Sequence, residues 1–331
     1  SEINPKNLRV YGNGGQMLPQ KNDALVYDDL QEIAIEVLGE ADGVFDEEDY
    51  VLFYGKGPHD WVLNPVANAA SHRQNIYSNV SYYFLTVTNG AGKRVADAAE
   101  IVAPSLKKIS TFDDFVFYEK ETRNLFAIGT QWFGEDFGIN NNQNFTLDFK
   151  KSVIGSPISV KVRAAVISSL SSSFAITVNA QNTSSINFPG VNNGSLTLGY
   201  AAHNSVSVAN TSPEVSVGIT YNNNGNPAAK GYLDYIELVG KKHLEGDSEQ
   251  FSFRSFEAFN SVGVVDFELV NSSEIEQIWE VTDPLNPRKV SNLSTGATFN
   301  FKSLGGVLNE YVAMTAADYY QPIVAANSRV A

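Results

Sequence analysis

The chain has 331 residues and carries 23 Lys and Arg against 37 Asp and Glu, a net charge of −14. That length suits two or three domains of about 150 residues each. The acidity excludes a duplex-DNA or RNA binder, which needs a basic face to neutralise phosphates. A hydrophobic fraction of 43% with 18% charged residues belongs to a globular chain, not a disordered one. There is no cysteine, so disulfides, zinc–thiolate sites and cysteine nucleophiles are all absent from these residues. No apolar run approaches the ~20 residues of a membrane-spanning helix, and the negative charge opposes adsorption to an anionic lipid surface. The start, Ser1-Glu2-Ile3-Asn4-Pro5, has neither the basic nor the apolar stretch of a signal peptide, so any leader is expected to have been removed or to lie outside these residues.

In chain order, nearly every readable period is two. Ile33, Ile35 and Val37 alternate with Glu32, Ala34 and Glu36, the pattern of a single half-buried strand. The runs Tyr50-Val51-Leu52-Phe53-Tyr54 and Tyr82-Tyr83-Phe84-Leu85 read as strands covered on both faces. A short helix is expected over 119–128, with acids in its first turn and Gly129 to end it. Alternation returns at 158–166, 215–221, 265–269 and 299–301. Between these runs lie turn clusters such as Gly12-Asn13-Gly14-Gly15 and Asn222-Asn223-Asn224-Gly225. Short strands punctuated in this way imply an all-β chain of two or three antiparallel β-sandwich or jelly-roll-like domains with one short helix. Composition divides the chain into an acidic, aromatic β domain at 1–110 and a connector with the short helix at 111–143. A Ser- and Asn-rich, jelly-roll-like sandwich at 144–246 and a β subdomain at 247–331 follow.

Catalytic signatures are scarce. The Gly-x-Ser-x-Gly elbow, His-Glu-x-x-His, the phosphate loop and the dinucleotide fingerprint are all missing. Of the histidines, His59, His72, His203 and His243, none is placed by spacing beside a serine and an acid. Paired carboxylates for glycoside hydrolysis could come from Asp113, Asp114, Glu119, Glu135 and Asp136, but the separation that decides such chemistry is not encoded in spacing. No catalytic residue is therefore assigned. The densest acidic stretch, 40–49, offers Asp42, Asp46 and Asp49 as oxygen ligands for calcium, with Gly43 to help the chain turn. The same residues suit an exposed acidic hairpin joining strands at 32–38 and 50–54, with Asx-turns at Asp42 and Asp46. Trp61 and the Trp132-Phe133 pair are candidate contacts for a partner or a glycan, although tryptophans are more often packing anchors.

Several motifs taken in order resemble one family. They are Leu8-Arg9-Val10-Tyr11-Gly12-Asn13-Gly14-Gly15, Tyr27-Asp28-Asp29-Leu30-Gln31-Glu32, and Gly39-Glu40-Ala41-Asp42-Gly43-Val44-Phe45-Asp46 running into Asp49-Tyr50-Val51-Leu52-Phe53-Tyr54-Gly55. Asn75-Ile76-Tyr77-Ser78, Gln131-Trp132-Phe133-Gly134-Glu135 and Trp279-Glu280-Val281-Thr282-Asp283-Pro284 follow. Together they resemble the amino-terminal, non-peptidase region of the PorU-type sortases of the type IX secretion system, which are gingipain-type cysteine peptidases of Bacteroidetes.

The resemblance implies a parent protein that removes carboxy-terminal sorting signals from secreted cargo and attaches that cargo at the cell surface. It implies an outer-membrane β-barrel partner of the PorV type, the cargo itself as a second partner, and no cofactor beyond the possible calcium. The family's catalytic His and Cys lie in the peptidase domain, and Tyr319-Tyr320-Gln321-Pro322-Ile323 looks like the approach to it. The expected role is therefore a noncatalytic region that positions the peptidase and docks partners. A glycan-binding surface module and a pro-region that inhibits its own peptidase are the alternatives.

Overall fold

The computed structural model describes residues 3–325, apart from positions 16, 20, 25, 126–130, 193, 195 and 247. It forms two compact units, one of Ser1–Pro58, Asn79–Ser110 and Leu244–Ala331, the other of His59–Ser78 and Thr111–His243. The first unit opens with β1 (Leu8–Gly12), β2 (Gln31–Ile33), β3 (Ile35–Leu38) and β4 (Tyr50–Phe53). The chain then enters the second unit for a hairpin, β5 (Asp60–Asn64) and β6 (Ala69–Arg73), and returns for β7 (Phe84–Val87), β8 (Ala96–Asp97) and β9 (Lys107–Ile109). The second unit takes β10 (Thr111–Glu119), β11 (Asn142–Asp148), β12 (Pro157–Ile167), β13 (Ser172–Val178), β14 (Gln181–Phe188), β15 (Tyr200–Ala209), β16 (Glu214–Asn222) and β17 (Lys230–His243). The first unit closes with β18 (Phe251–Arg254), helix α1 (Phe256–Phe259), β19 (Val264–Leu269), β20 (Gln277–Glu280), β21 (Arg288–Lys289), β22 (Phe299–Leu304) and β23 (Glu310–Met314). The chain is nearly all β, as its two-residue period requires. No helix among the described residues is long and apolar enough to cross a membrane.

In the first unit, amino- and carboxy-terminal segments share sheets. The order β18-β23-β20-β21-β8 ends on a parallel β21–β8 pair, and β22-β19-β9 on a parallel β19–β9 pair. Its interior is aromatic: Phe267 and Phe301 stack at 5.0 Å, and Phe253 lies 5.1 Å from the Tyr311 ring. Trp279 is fully buried, and its indole N–H donates to Gln277 Oε1 at 2.8 Å.

The second unit is an antiparallel sandwich of two four-stranded sheets, β10-β17-β12-β15 and β11-β16-β13-β14. Alternation fills its core: Ile158, Val160, Val162 and Ala164 from β12 meet Phe174, Ile176 and Val178 from β13 and Val215, Val217 and Ile219 from β16. Burying such faces at about 25 cal/mol per Å2 is what holds the sheets together. This unit runs from Thr111 to His243 and takes in residues 59–78 from within the acidic zone.

Three expectations change. Residues 32–38 do not make one strand: Ala34 leaves the ladder to donate its N–H to Leu285 O, so β2 and β3 belong to different sheets. The 82–85 run is not covered on both faces: Tyr82 and Leu85 are more than half exposed, and β7 pairs with β1 at the edge of its sheet. The helix at 119–128 is absent where the chain is described. Glu119 ends β10 opposite Tyr235, and Arg123 bridges to Phe133; residues 126–130 lie outside the described set. The period-two run Phe115, Phe117, Glu119 outweighs the helical signal. The α-helix among the described residues is α1, capped by the Ser255 side chain.

Candidate functional site

The densest polar cluster lies on the outer face of the β10-β17-β12-β15 sheet, within the second unit. Cross-strand register builds it in rows. Phe117, Glu237, Lys161 and Ser205 stand in one row, and Glu119, Tyr235, Arg163 and His203 in the next. Just beyond the second row β17 carries a bulge: Arg163 faces Tyr235, yet Ala164 faces Leu233, so Asp234 has no partner in the ladder. Strict alternation from Ile236 would turn Asp234 into the core. The extra residue re-aims it, and Asp234 forms an ion pair with Arg163 on the outer side while Leu233 stays in the core.

The hairpin β5–β6 supplies the rest. His72 donates its backbone N–H to Glu237 Oε1 at 2.9 Å, and its Nδ1 lies 2.7 Å from the same oxygen. Its Nε2 is 2.6 Å from Glu119 Oε2, which also accepts from Gln74 at 2.7 Å. The ring stacks on Phe117 at 4.3 Å with planes 9° apart, and Trp61 packs on Phe115 at 4.9 Å. Lys161 Nζ reaches Ser71 Oγ at 2.9 Å and Glu237 Oε2 at 3.0 Å.

The charges follow from this packing. Burial disfavours the His72 cation, but its two carboxylate partners more than compensate and raise its pKa to about 9. Burial likewise works against the Glu237 carboxylate, and His72 and Lys161 still hold it below the usual range. Oxygens of Glu119, Glu121 and Asp234 lie within 4.8 Å of one another. Burial and the neighbouring Glu119 charge push Glu121 up to about 7; burial, eased by Arg163, leaves Asp234 at about 6. Ser71 lies beside a lysine but is not activated by it. Burial lowers the affinity of Lys161 for its proton, yet the bonds to Tyr235 and Glu237 raise its pKa overall, so it cannot serve as a base. The cluster clamps a hairpin to a sheet.

The residues singled out from sequence are dispersed. In the 39–49 loop, which does join β3 to β4, Asp42 Oδ1 accepts from Val44 N at 2.9 Å and Asp46 Oδ1 from Glu48 N at 3.0 Å. Asp49 Oδ2 accepts from Asp46 N at 3.2 Å. Among the described residues, the three-carboxylate group that converges is Glu119, Glu121 and Asp234, not Asp42, Asp46 and Asp49. Phe133 is fully buried against Ala165 and Tyr232, whereas Trp132 beside it is 41% exposed. Asp114 pairs with Lys242, and Glu135 with Lys120, each at 2.8 Å. Of the hydrolase candidates, Glu119 alone belongs to the cluster. His59, His203 and His243 are exposed, whereas the His72 side chain is buried. Sequence reading missed the role of His72 and the bulge at Asp234. An acid breaking the alternation of a strand otherwise apolar on one face was the available signal.

No protein-family model and no curated protein matches the chain. Among solved structures, the crystal structure of dimeric latent PorU from Porphyromonas gingivalis is similar over 94% of this chain, with a TM-score of 0.79 and 20% identity. The chain spans 29% of the length of that PorU chain. At this identity the likeness is one of fold, and it bears out the resemblance read from the motifs. The CBM36-1 domain of a multidomain xylanase from the hindgut metagenome of Trinervitermes trinervoides matches 38% of this chain and 95% of its own, at TM-score 0.27 and 11% identity. A carbohydrate-binding module CBM36 in complex with calcium and xylotriose matches 38% of this chain and 98% of its own, at TM-score 0.26 and 14% identity.

Proposed function

We propose that the chain is the noncatalytic amino-terminal region of a PorU-like sortase of the type IX secretion system. It positions a gingipain-like cysteine peptidase at the cell surface, on the outer membrane, and docks a PorV-like β-barrel partner and secreted cargo. The observation that carries this reading is the fold likeness to PorU over 94% of the chain, joined to the absence of any cysteine in 331 residues. The clamped, ion-paired cluster agrees with it: its lysine and histidine are held protonated by carboxylates, so neither activates a nucleophile.

Two assays test the proposal. The purified chain is incubated with peptides ending in a sorting signal, and then with a solubilised PorV-type barrel. The expected result is no cleavage and a stable complex with the barrel. Robust cleavage by a pure sample, or failure to bind a barrel that the full-length parent binds, would overturn it.

A further inference from the structure

The sheet β2-β1-β7 ends on an open edge. Thr88 donates its N–H to Asn7 O at 3.1 Å, and this bond sets the phase of the antiparallel β1–β7 ladder. Opposed residues in such a ladder alternate between exchanging both backbone bonds and exchanging none. Phe84 and Thr86 therefore turn their N–H and C=O toward β1, and Leu85 and Val87 turn theirs away from it. On that outer side neither Leu85 nor Val87 has a hydrogen-bond partner among the described residues. We propose that β7 takes up an extended peptide segment of a partner protein as an added antiparallel strand, with apolar residues opposite Leu85 and Val87.

The side chains of β7 set what that segment carries. Leu85 stands opposite Val10 and Val87 opposite Leu8, so both point to the core face of the sheet. Val10 and Leu8 are buried there, yet Leu85 is 62% and Val87 48% exposed. The apolar row Ile33, Val10, Leu85 thus runs out at β7 before its last side chain is covered. A further strand would extend that row by one apolar residue. Because directly opposed residues share a face, the residues that cover Leu85 and Val87 are the same ones whose N–H and C=O meet theirs.

Edge strands are commonly guarded by a charge, a proline or a bulge that turns a further strand away. The stretch Tyr82-Tyr83-Phe84-Leu85-Thr86-Val87-Thr88 has no charge and no proline, and its ladder runs without a shift of register. The edge strand β15 of the second unit is different: Asn204 Oδ1 accepts the Ser205 N–H at 2.9 Å, and the side chains exposed along it are small or polar. A second copy of the chain fits β7 poorly, since two four-residue strands cover far less than the about 1,200 Å2 of a stable interface. A flexible segment brings its backbone without a second folded body. The net charge of −14 favours one flanked by basic residues. The inference rests on the first unit alone and does not depend on the proposed role in secretion.

NMR titration of the full chain with the end-capped peptide Lys-Val-Thr-Val-Thr-Val-Lys tests it. Four backbone bonds and two apolar contacts should give saturable binding with a dissociation constant of about 0.1–1 mM. The Leu85 and Val87 amides should become protected from hydrogen exchange, while Thr86, already turned to β1, should change little. N-methylation of the peptide's Val residues removes the N–H groups that meet β7 and should abolish binding. N-methylation of its Thr residues, whose N–H groups point away, should leave binding close to that of the parent peptide. In the protein, Val87→Pro removes an outward N–H without touching a ladder bond, and Leu85→Lys puts a guarding charge on the edge. Each should weaken binding at least about tenfold. No saturable shift at about 5 mM peptide, equal binding of the two methylated peptides, or undiminished binding by both variants would overturn the proposal. So would a dimer of the chain, seen by sedimentation, that Leu85→Lys abolishes.

Discussion

His72 and Glu237 are 165 residues apart in the chain, yet the imidazole Nδ1 lies 2.7 Å from the carboxylate. The same carboxylate accepts the His72 backbone N–H. One histidine thus ties an excursion of the chain at residues 59–78 to the sheet of a sandwich built from residues 111–243. Side chains of both partners are almost completely buried, 6% and 2% exposed, so solvent screens the pair little.

Replacing His72 by Ala should destabilise the second unit strongly. The substitution leaves Glu119 and Glu237 facing a gap, and breaking a buried ion pair from one side costs about 3–5 kcal/mol. His203→Ala, at an exposed position in the next row, should stay within about 0.5 kcal/mol of the wild type. Denaturant unfolding followed by fluorescence checks this, because Trp61 packs 5.9 Å from the His72 ring. A His72→Ala transition superimposed on the wild type would show that the clamp contributes nothing.

The pH dependence has a defined sign. The folded-state pKa of His72 is raised from 6.5 to about 9, so its stabilisation is complete below pH 6.5 and is lost as pH rises toward 9. Glu121, raised from 4.5 to about 7, and Asp234, raised from 3.8 to about 6, also bind protons more tightly when folded. They add a fall in stability between about pH 4 and 7. Glu237 acts oppositely, since its lowered pKa gives stability that disappears only in acid. Melting temperatures should therefore decline from mildly acidic to alkaline pH, and His72→Gln should flatten the part between pH 6.5 and 9. A wild-type profile that rises across neutral pH would contradict the assignment.

Deleting Asp234 should be tolerated by the backbone. Without the bulge, Leu233 follows Tyr235 in regular alternation and still points to the core, in register with Ala164. Arg163 loses its partner, and Glu121 loses a negative neighbour that raises its pKa. Carboxyl 13C NMR should show Glu121 titrating at lower pH in the deletion variant, with an unchanged far-UV spectrum. An unmoved Glu121 titration would separate the two residues.

Gly231 tests the core at the same strand's start. A Cβ there would meet Phe174 Cζ at 2.8 Å and the Tyr221 ring at 3.0 Å. Gly231→Val should cost about 1–3 kcal/mol by overpacking, measured by urea unfolding. An unchanged midpoint would mean that these rings move aside freely.

Strands were legible where one face is buried throughout. Val160, Val162 and Ala164, or Val215, Val217 and Ile219, declare themselves by period two because each inward position lies in the core. The break at Ala34 was not legible, since Leu285, which takes its N–H, is far away in sequence. Neither was the clamp. His72, Glu119 and Glu237 come from three distant segments, and only register places them together. Asp234 gave a faint local sign, an acid at a position that alternation assigns to the core.

The central claim is that this region serves a peptidase without being one. The most direct measurement removes these 331 residues from the full-length parent and follows cargo in cells while assaying the truncated enzyme on a short sorting-signal peptide. The account predicts that peptide cleavage survives while cargo accumulates unprocessed and undisplayed. Normal processing and display of cargo by the truncated enzyme would contradict it.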